Sequence, residues 1–524
     1  MDALRVSETL DYLPSSAPPA APPSRPAESF SWAEIERATG SPTLQGNSIR
    51  LQFDGSSTFD AWLEAIESAQ RFVYFENYLV RDDRVGGAFR DALVKKAREG
   101  VPVYLLHDWL GCWATPRRYW KPLHKAGVQV CAFNRPSLGV GDAFGVLQRD
   151  HRKLIVVDAE VAYVGGFCVG NEWAGTASEA PWRDTGVEIR GPAARAAAVA
   201  FESLWSKVAE PIPRRQALSS GPDAGETPIW LIEGEPGKTR VYRTLHLAAT
   251  RARKRIWITD AYFVAPRSIS EALGAAAQQG VDVRILLPAH NNWPLVGSLS
   301  RGGYRYLLES GVRIFEWQGP MMHAKTSLVD GAWCRVGSSN LNSASLMGNW
   351  ELDVGVLDAG LAMQLEGLFI ADLASSAEIV LPGRTAVVPD PASSQSVLRT
   401  ASLDPQGTLP ERLEQRIRAL GDAPGQITLA PLVRASAALG EALAGDRTLG
   451  REDRTVLGTV SVMIAAVAIL AWFFPTAVGW VVWAVTAWLA VTTGIRAYLQ
   501  ARRARAAERV AALDMKIEQG IEKP

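Results

Sequence analysis

The chain contains the same succession of segments twice. Stretches opening at Arg71 (RFVYFENY), Gly100 (GVPVYLL), Gly127 (GVQVCAF), His151 (HRKLIVVD) and Val164 (VGG) recur in order at Arg255 (RIWITDAY), Gly280 (GVDVRILL), Gly311 (GVRIFEW), His323 (HAKTSLVD) and Val336 (VGS), at offsets of 184, 180, 184, 172 and 172 residues. Five signals in one order, separated by small insertions, imply a duplicated domain. Each apolar run is short and β-branched, as a strand requires, and helical patterns such as Val85 to Arg98 and Ser268 to Gln279 lie between the runs. The fold class expected is therefore α/β: two duplicated domains with mixed, largely buried sheets flanked by helices.

Boundaries follow from composition. Residues 1–44 read as a disordered leader, because 14–27 (PSSAPPAAPPSRPA) is rich in Pro, Ala and Ser and has no apolar signal-peptide core. The first repeated domain is expected over 45–222 and the second over 223–386, with a linker carrying helical segments over 387–450.

From Val456 to Ile495 there are 40 consecutive uncharged residues with Pro475 near the middle. One straight helix of that length would run roughly 60 Å, twice the ~30 Å hydrocarbon core of a bilayer. Two helices of about 20 residues fit better, so 451–497 is expected to form a transmembrane hairpin, the alternative being a buried hairpin of a soluble domain. Arg451 and Arg454 precede it, and Arg496, Arg502, Arg503, Arg505 and Arg509 follow, so both ends and the repeated domains are expected in the cytoplasm. Residues 498–524 then read as a basic tail helix, lying near anionic headgroups or solvated.

Lys and Arg (55) balance Asp and Glu (55), so no global field draws the chain to nucleic acid. Cys112, Cys131, Cys168 and Cys334 show no metal-ligand spacing and read as thiols in a reducing compartment. No metal or cofactor is expected.

The chemistry is carried by two H-x-K-x4-D motifs: His151, Lys153, Asp158 and His323, Lys325, Asp330. On a strand, residues i and i+2 share a face, so each His projects beside its Lys. One neutral imidazole can attack the phosphorus of a phosphodiester while a second, protonated one donates to the leaving oxygen. Two lysines then neutralise the equatorial oxygens. Asp158 and Asp330 fall at strand ends, where pinning of backbone is the expected role. The residues themselves do not decide which histidine attacks.

These motifs resemble the phospholipase D superfamily, and within it the sequence is most similar to bacterial cardiolipin synthases and related phosphatidyltransferases, over about residues 45–385. Gly337, Ser338 and Asn340 match the G-S-x-N block, and Asn349 with Glu351 the downstream N-x-E. The resemblance implies that the block builds a phosphate pocket and that Glu351 orients His323. In the first repeat Gly165 and Gly166 fill the corresponding turn, and Asp184 stands where Glu351 does. Cys168 stands where the pattern has Asn, and Asn171 is the candidate to replace it or, equally, a loop cap. Thr259-DAYFVAP and Glu76-NY are expected to line the cleft. The implied nucleophile is His151, with His323 as acid and then base. The implied activity is phosphatidyl transfer through a phosphatidyl-histidine, as in cardiolipin synthesis, at a bacterial inner membrane on phospholipids such as phosphatidylglycerol. A hydrolytic phospholipase D is the alternative, and a nuclease a more distant one.

Overall fold

The structure, a computed structural model, describes residues 30–135, 148–213 and 223–381. The linker, the hairpin and the tail helix expected beyond 386 lie outside the described residues. Among the described residues no helix is long and apolar enough to cross a membrane.

The first repeat forms β1 (Leu44–Gln52), β2 (Val73–Asn77), β3 (Val103–Asp108), β4 (Gln129–Phe133), β5 (Lys153–Val157), β6 (Val161–Gly165) and β7 (Gly186–Arg190). The second forms β8 (Thr227–Gly234), β9 (Arg255–Thr259), β10 (Asp282–Pro288), β11 (Arg313–Trp317), β12 (Thr326–Val329), β13 (Trp333–Gly337), β14 (Glu351–Leu357) and β15 (Ser376–Ile379). The helices are α1 (Trp32–Thr39), α2 (Gly55–Ser68), α3 (Arg84–Arg98), α4 (Arg117–Ala126), α5 (Asn171–Ala174), α6 (Pro192–Val208), α7 (Arg240–Arg251), α8 (Arg267–Gln278), α9 (Pro294–Gly302), α10 (Tyr304–Glu309) and α11 (Ala359–Leu373).

Every residue of β2, β5 and β6 is buried, the pattern of strands covered on both faces. β2, β3 and β4 run parallel, with Val73 opposite Val103 and Tyr104 opposite Gln129. Parallel neighbours need crossovers, which α3 and α4 supply. β5, β6 and β7 return antiparallel, with Lys153 opposite Asn77, and the second repeat has the same plan, with Thr326 opposite Thr259. Side-chain caps fix helix starts: Asp83 accepts from Gly86 N at 2.9 Å on α3, and Asp358 from Leu361 N at 2.7 Å on α11.

β1 pairs with β7 on one edge and β8 on the other. The two expected sheets are therefore continuous, in the order β15-β11-β10-β9-β12-β13-β14-β8-β1-β7-β6-β5-β2-β3-β4. Outward from the β1–β8 seam the strands follow one succession in both directions, and β15 extends the second. One apolar core is shared by both repeats, drawing Val156, Val164 and Val187 from one and Cys334, Val336 and Val354 from the other, with Phe201 of α6 and Phe369 of α11. Separate outer cores lie under α2–α4 and under α7, α8 and α10.

The leader expectation fails at its end. Ser31 and Glu34 form a capping box, and Phe30 and Ile35 pack into the second repeat's outer core beside Trp230 and Trp333. Residues 30–44 are thus part of the fold. The four cysteines are free.

Candidate active site

Both H-x-K motifs lie where the parallel strands end. β5 starts opposite the end of β2 and β12 opposite the end of β9, so His151 and His323 sit just before their strands at the carboxyl end of each parallel set. Each motif is tied there to the other repeat. His151 N donates to Trp350 O at 2.9 Å and Trp350 N to Arg149 O at 2.8 Å; His323 N donates to Arg183 O at 2.7 Å and Arg183 N to Met321 O at 2.9 Å.

The residue after each bridging partner is a buried carboxylate, so the carboxylates are exchanged. Glu351 Oε2 and Oε1 lie 2.9 and 3.0 Å from His151 Nδ1, and Asp184 Oδ2 lies 2.6 Å from His323 Nδ1. The expected pairing of Glu351 with His323 is therefore wrong: Trp350, just before β14, is bonded to the backbone at Arg149 and His151, which brings the Glu351 carboxylate to His151. A carboxylate at Nδ1 requires the proton on that nitrogen, which leaves each Nε2 with its lone pair free. Lys325 Nζ, 2.9 Å from His323 Nδ1, is accordingly a neighbouring charge and not a donor to it.

Lys153 Nζ donates to His151 O at 2.6 Å, and Lys325 Nζ donates to His323 O. Burial pushes His323 down to about 3, with Lys325 adding to the effect and Asp184 opposing it; burial also lowers His151, against Glu351. Lys325 reaches His151 electrostatically and Lys153 reaches His323, so the charges of both repeats act on one small region. Burial lowers Lys325 to about 8. Burial alone would raise Asp184 and Glu351, but His323 and Lys325 beside the first, and His151 and Lys153 beside the second, hold them below the usual carboxylate range. The resting site holds two neutral imidazoles backed by two anions and two cations. A phosphodiester anion between the lysines would restore basicity to the imidazoles.

The sequence matches the family described as cardiolipin synthase, PLD-like domain, over residues 62–205 and 247–373, the two repeats. The chain belongs to the cardiolipin synthase PLD-like domain family. It is an enzyme of the phospholipase D type. Cardiolipin synthase A of Pseudomonas aeruginosa is 35% identical over 369 residues, covering 67% of this chain and 72% of the relative. Cardiolipin synthase A of Pseudomonas putida is 34% identical over 340 residues, covering 64% and 70%. Among solved structures, phosphatidylserine synthase of Haemophilus influenzae superposes with a TM-score of 0.52 at 13% identity, covering 74% of this chain and 98% of that one, a likeness of fold.

In this PLD-like frame the other expected residues take varied places. Asp158 accepts from the backbone N–H of Gln70, Arg71 and Phe72 at 2.7–2.8 Å, and Asp330 from those of Arg253, Lys254 and Arg255 at 2.8–2.9 Å, so both pin the start of a neighbouring strand. Ser338, expected at the phosphate, turns its hydroxyl to Glu351 Oε2 at 2.5 Å. Asn340 is buried with its Oδ1 lacking a protein partner among the described residues. Asn171 accepts from Val85 N at 3.3 Å, the cap reading of its two. The glycines make room: a Cβ at Gly166 would lie 2.0 Å from Asp184 Oδ1, at Gly337 2.0 Å from Asp353 Oδ1, and at Gly165 2.4 Å from Gly186 Cα. Tyr78 and Tyr262 lie edge-on to His151 and His323, at centroid distances of 4.9 and 5.8 Å.

Several residues escaped sequence reasoning. Trp173 Nε1 donates to Asp184 Oδ2 at 2.8 Å, the counterpart of Ser338 on Glu351. Its only signal was Gly166, which stands where Ser338 does and removes the hydroxyl from the first repeat. Arg183 ion-pairs with buried Asp372 at 2.8 Å, holding the segment that delivers Asp184. Glu76, expected to line the cleft, is instead fully buried and forms an acidic pair near Arg152 with Asp150, which the sequence did not single out; burial pushes Glu76 up to about 7 and Asp150 well above the usual range.

Proposed function

We propose that this enzyme moves a phosphatidyl group from one lipid alcohol to another through a phosphatidyl-histidine, with phosphatidylglycerol as donor and acceptor and cardiolipin as product. The observation that carries this reading is the pair of motif imidazoles, each backed at Nδ1 by the other repeat's carboxylate. His151, whose side chain is 12% exposed against 6% for His323, attacks phosphorus through Nε2. His323, protonated in the presence of the substrate anion, gives its proton to the departing glycerol oxygen. Lys153 and Lys325 neutralise the equatorial oxygens, and Glu351 stabilises the positive charge formed on His151. His323, now neutral, takes the proton of the incoming hydroxyl, which attacks phosphorus and releases His151. Asn340 donates from its side-chain NH2 to a phosphate oxygen.

The 451–497 hairpin anchors the enzyme in the bacterial inner membrane with the site in the cytoplasm, so both substrates arrive by diffusion in the bilayer plane. The relatives named cardiolipin synthase A support the choice of substrate. The test is product analysis with labelled phosphatidylglycerol, alongside His151→Ala and His323→Ala. Cardiolipin plus glycerol, abolished in both variants, is expected; phosphatidic acid as the dominant product would make the enzyme a hydrolase and overturn the transfer.

A further inference from the structure

The two loops that leave the sheet beside the site carry a matched pair of exposed tryptophans. β3 and β10 are the parallel neighbours of β2 and β9, whose ends bear Tyr78 and Tyr262. Trp113 lies five residues beyond the end of β3 at Asp108, and Trp293 five residues beyond the end of β10 at Pro288. They are 48% and 59% exposed, and Leu110 and Leu299 near them are 46% and 56% exposed.

These rings are held out by built loops. Asp108 Oδ1 accepts from Leu110 N and Gly111 N at 2.8 and 2.9 Å, and Cys112 Sγ accepts from Val80 N at 3.2 Å. In the other repeat Asn291 accepts from Trp293 N at 2.8 Å and donates to Ala261 O at 2.9 Å, and Asn292 accepts from the Tyr262 hydroxyl at 2.8 Å. The second loop is thus bonded to the tyrosine that lies against His323.

Charge supplies the other half of the argument. Neither 109–135 nor 289–308 contains an acidic residue, although Arg301 and Arg305 of the second segment pair with Glu316 and Glu309 just beyond it, so the basic face belongs to the first loop. α4, directly after Trp113, exposes Arg117, Lys121 and Lys125, and Arg118, which ion-pairs with Asp82 at 2.7 Å. Amphipathic rings beside a cationic face match the headgroup layer of an anionic bilayer, where tryptophan prefers to sit and basic side chains meet phosphates.

We infer that the Trp113 and Trp293 loops form a membrane-facing rim, entering the headgroup layer of an anionic phospholipid bilayer so that the site between them opens on the lipid surface. The inference rests on the reading of the substrate as a bilayer phospholipid. It goes beyond that reading because it gives the catalytic domains a membrane contact of their own, independent of residues 451–497.

The test uses the full chain. Trp113→Ala/Trp293→Ala should lower kcat/KM on phosphatidylglycerol vesicles by about tenfold, and the Asp/Asp pair by more, because apolar area is lost and then charge is set at the interface. Activity on a water-soluble short-chain phosphatidylglycerol below its micellar concentration should be unchanged. Equal losses on both substrates would overturn the inference, as would no loss on vesicles. A second readout needs no turnover: Trp113→Cys carrying a polarity-sensitive fluorophore should shift to the blue on vesicles containing phosphatidylglycerol and not on phosphatidylcholine alone. A probe already blue-shifted without lipid would mean that a second copy or residues 382–524 cover the rim, and would refute it. Absence of transfer by the unaltered enzyme would sink the substrate reading, while the fluorescence shift would still decide the rim.

Discussion

Replacing Glu351 by Gln should disable His151, the histidine of the opposite repeat, and not His323. Glu351 is fully buried, and its oxygens lie 2.9 and 3.0 Å from His151 Nδ1. As the bond to phosphorus forms, His151 becomes cationic with that anion at its back. Two unit charges about 4 Å apart, at an effective dielectric near 20, attract by about 4 kcal/mol. Loss of that attraction is about a thousandfold in rate. Glutamine also offers an NH2 group to one of two neighbours, Nδ1–H or the Ser338 hydroxyl at 2.5 Å, and so frustrates the tautomer as well.

The assay is a nitrophenolate burst from a phosphatidyl ester of p-nitrophenol, whose leaving group departs without a proton and makes the general acid dispensable. With this donor, His323→Ala and Asp184→Asn should retain the burst, whereas His151→Ala and Glu351→Gln should lose it. If His323 were the nucleophile the two pairs would trade places but remain the same pairs. Should Glu351→Gln behave like His323→Ala instead, the exchange of carboxylates between repeats would be refuted as a functional arrangement.

Trp173→Phe keeps a ring beside Asp184 but removes the indole donor at 2.8 Å; with a natural donor lipid kcat should fall about tenfold, with little change on the nitrophenyl ester. Burial lowers Lys325 to about 8, so its positive charge is present below that pH and lost above it. The pH profile of kcat/KM should accordingly decline above about 8, approaching tenfold per unit, and Lys325→Arg should move that limb upward with a lower plateau. Asp158→Ala strands three backbone donors and should cost about 3 kcal/mol in urea denaturation while the folded fraction keeps kcat within a few-fold. A kcat loss as large as that of His151→Ala would refute this backbone role.

The α/β class, the strand runs and both H-x-K motifs were legible because each depends on residues close in sequence. An aromatic run after Val73 marks β2 and a β-branched one marks β5, and i, i+2 spacing sets each His beside its Lys. The exchange of Glu351 and Asp184 was not, because it is fixed by backbone bonds such as His151 N to Trp350 O, between residues 199 positions apart in the chain. Family likeness suggested pairing within a repeat, since the repeats look self-sufficient in one dimension. The β1–β8 seam was hidden for a related reason: a strand pattern says that an edge exists, not which strand takes it. Ser338 was assigned to phosphate by motif, and only geometry shows its hydroxyl on Glu351. The helix at Trp32–Thr39 is obscured in the sequence by the Pro-rich stretch before it, although Ser31 and Glu34 carry a capping signature.

Because each imidazole borrows its anion from across the seam, a single repeat is a half-built machine: its histidine has no counter-ion and its carboxylate has no client. Two such units would be complete only as a two-fold pair. It also means that neither copy is free to drift, since any displacement of one surfaces as altered reactivity in its twin.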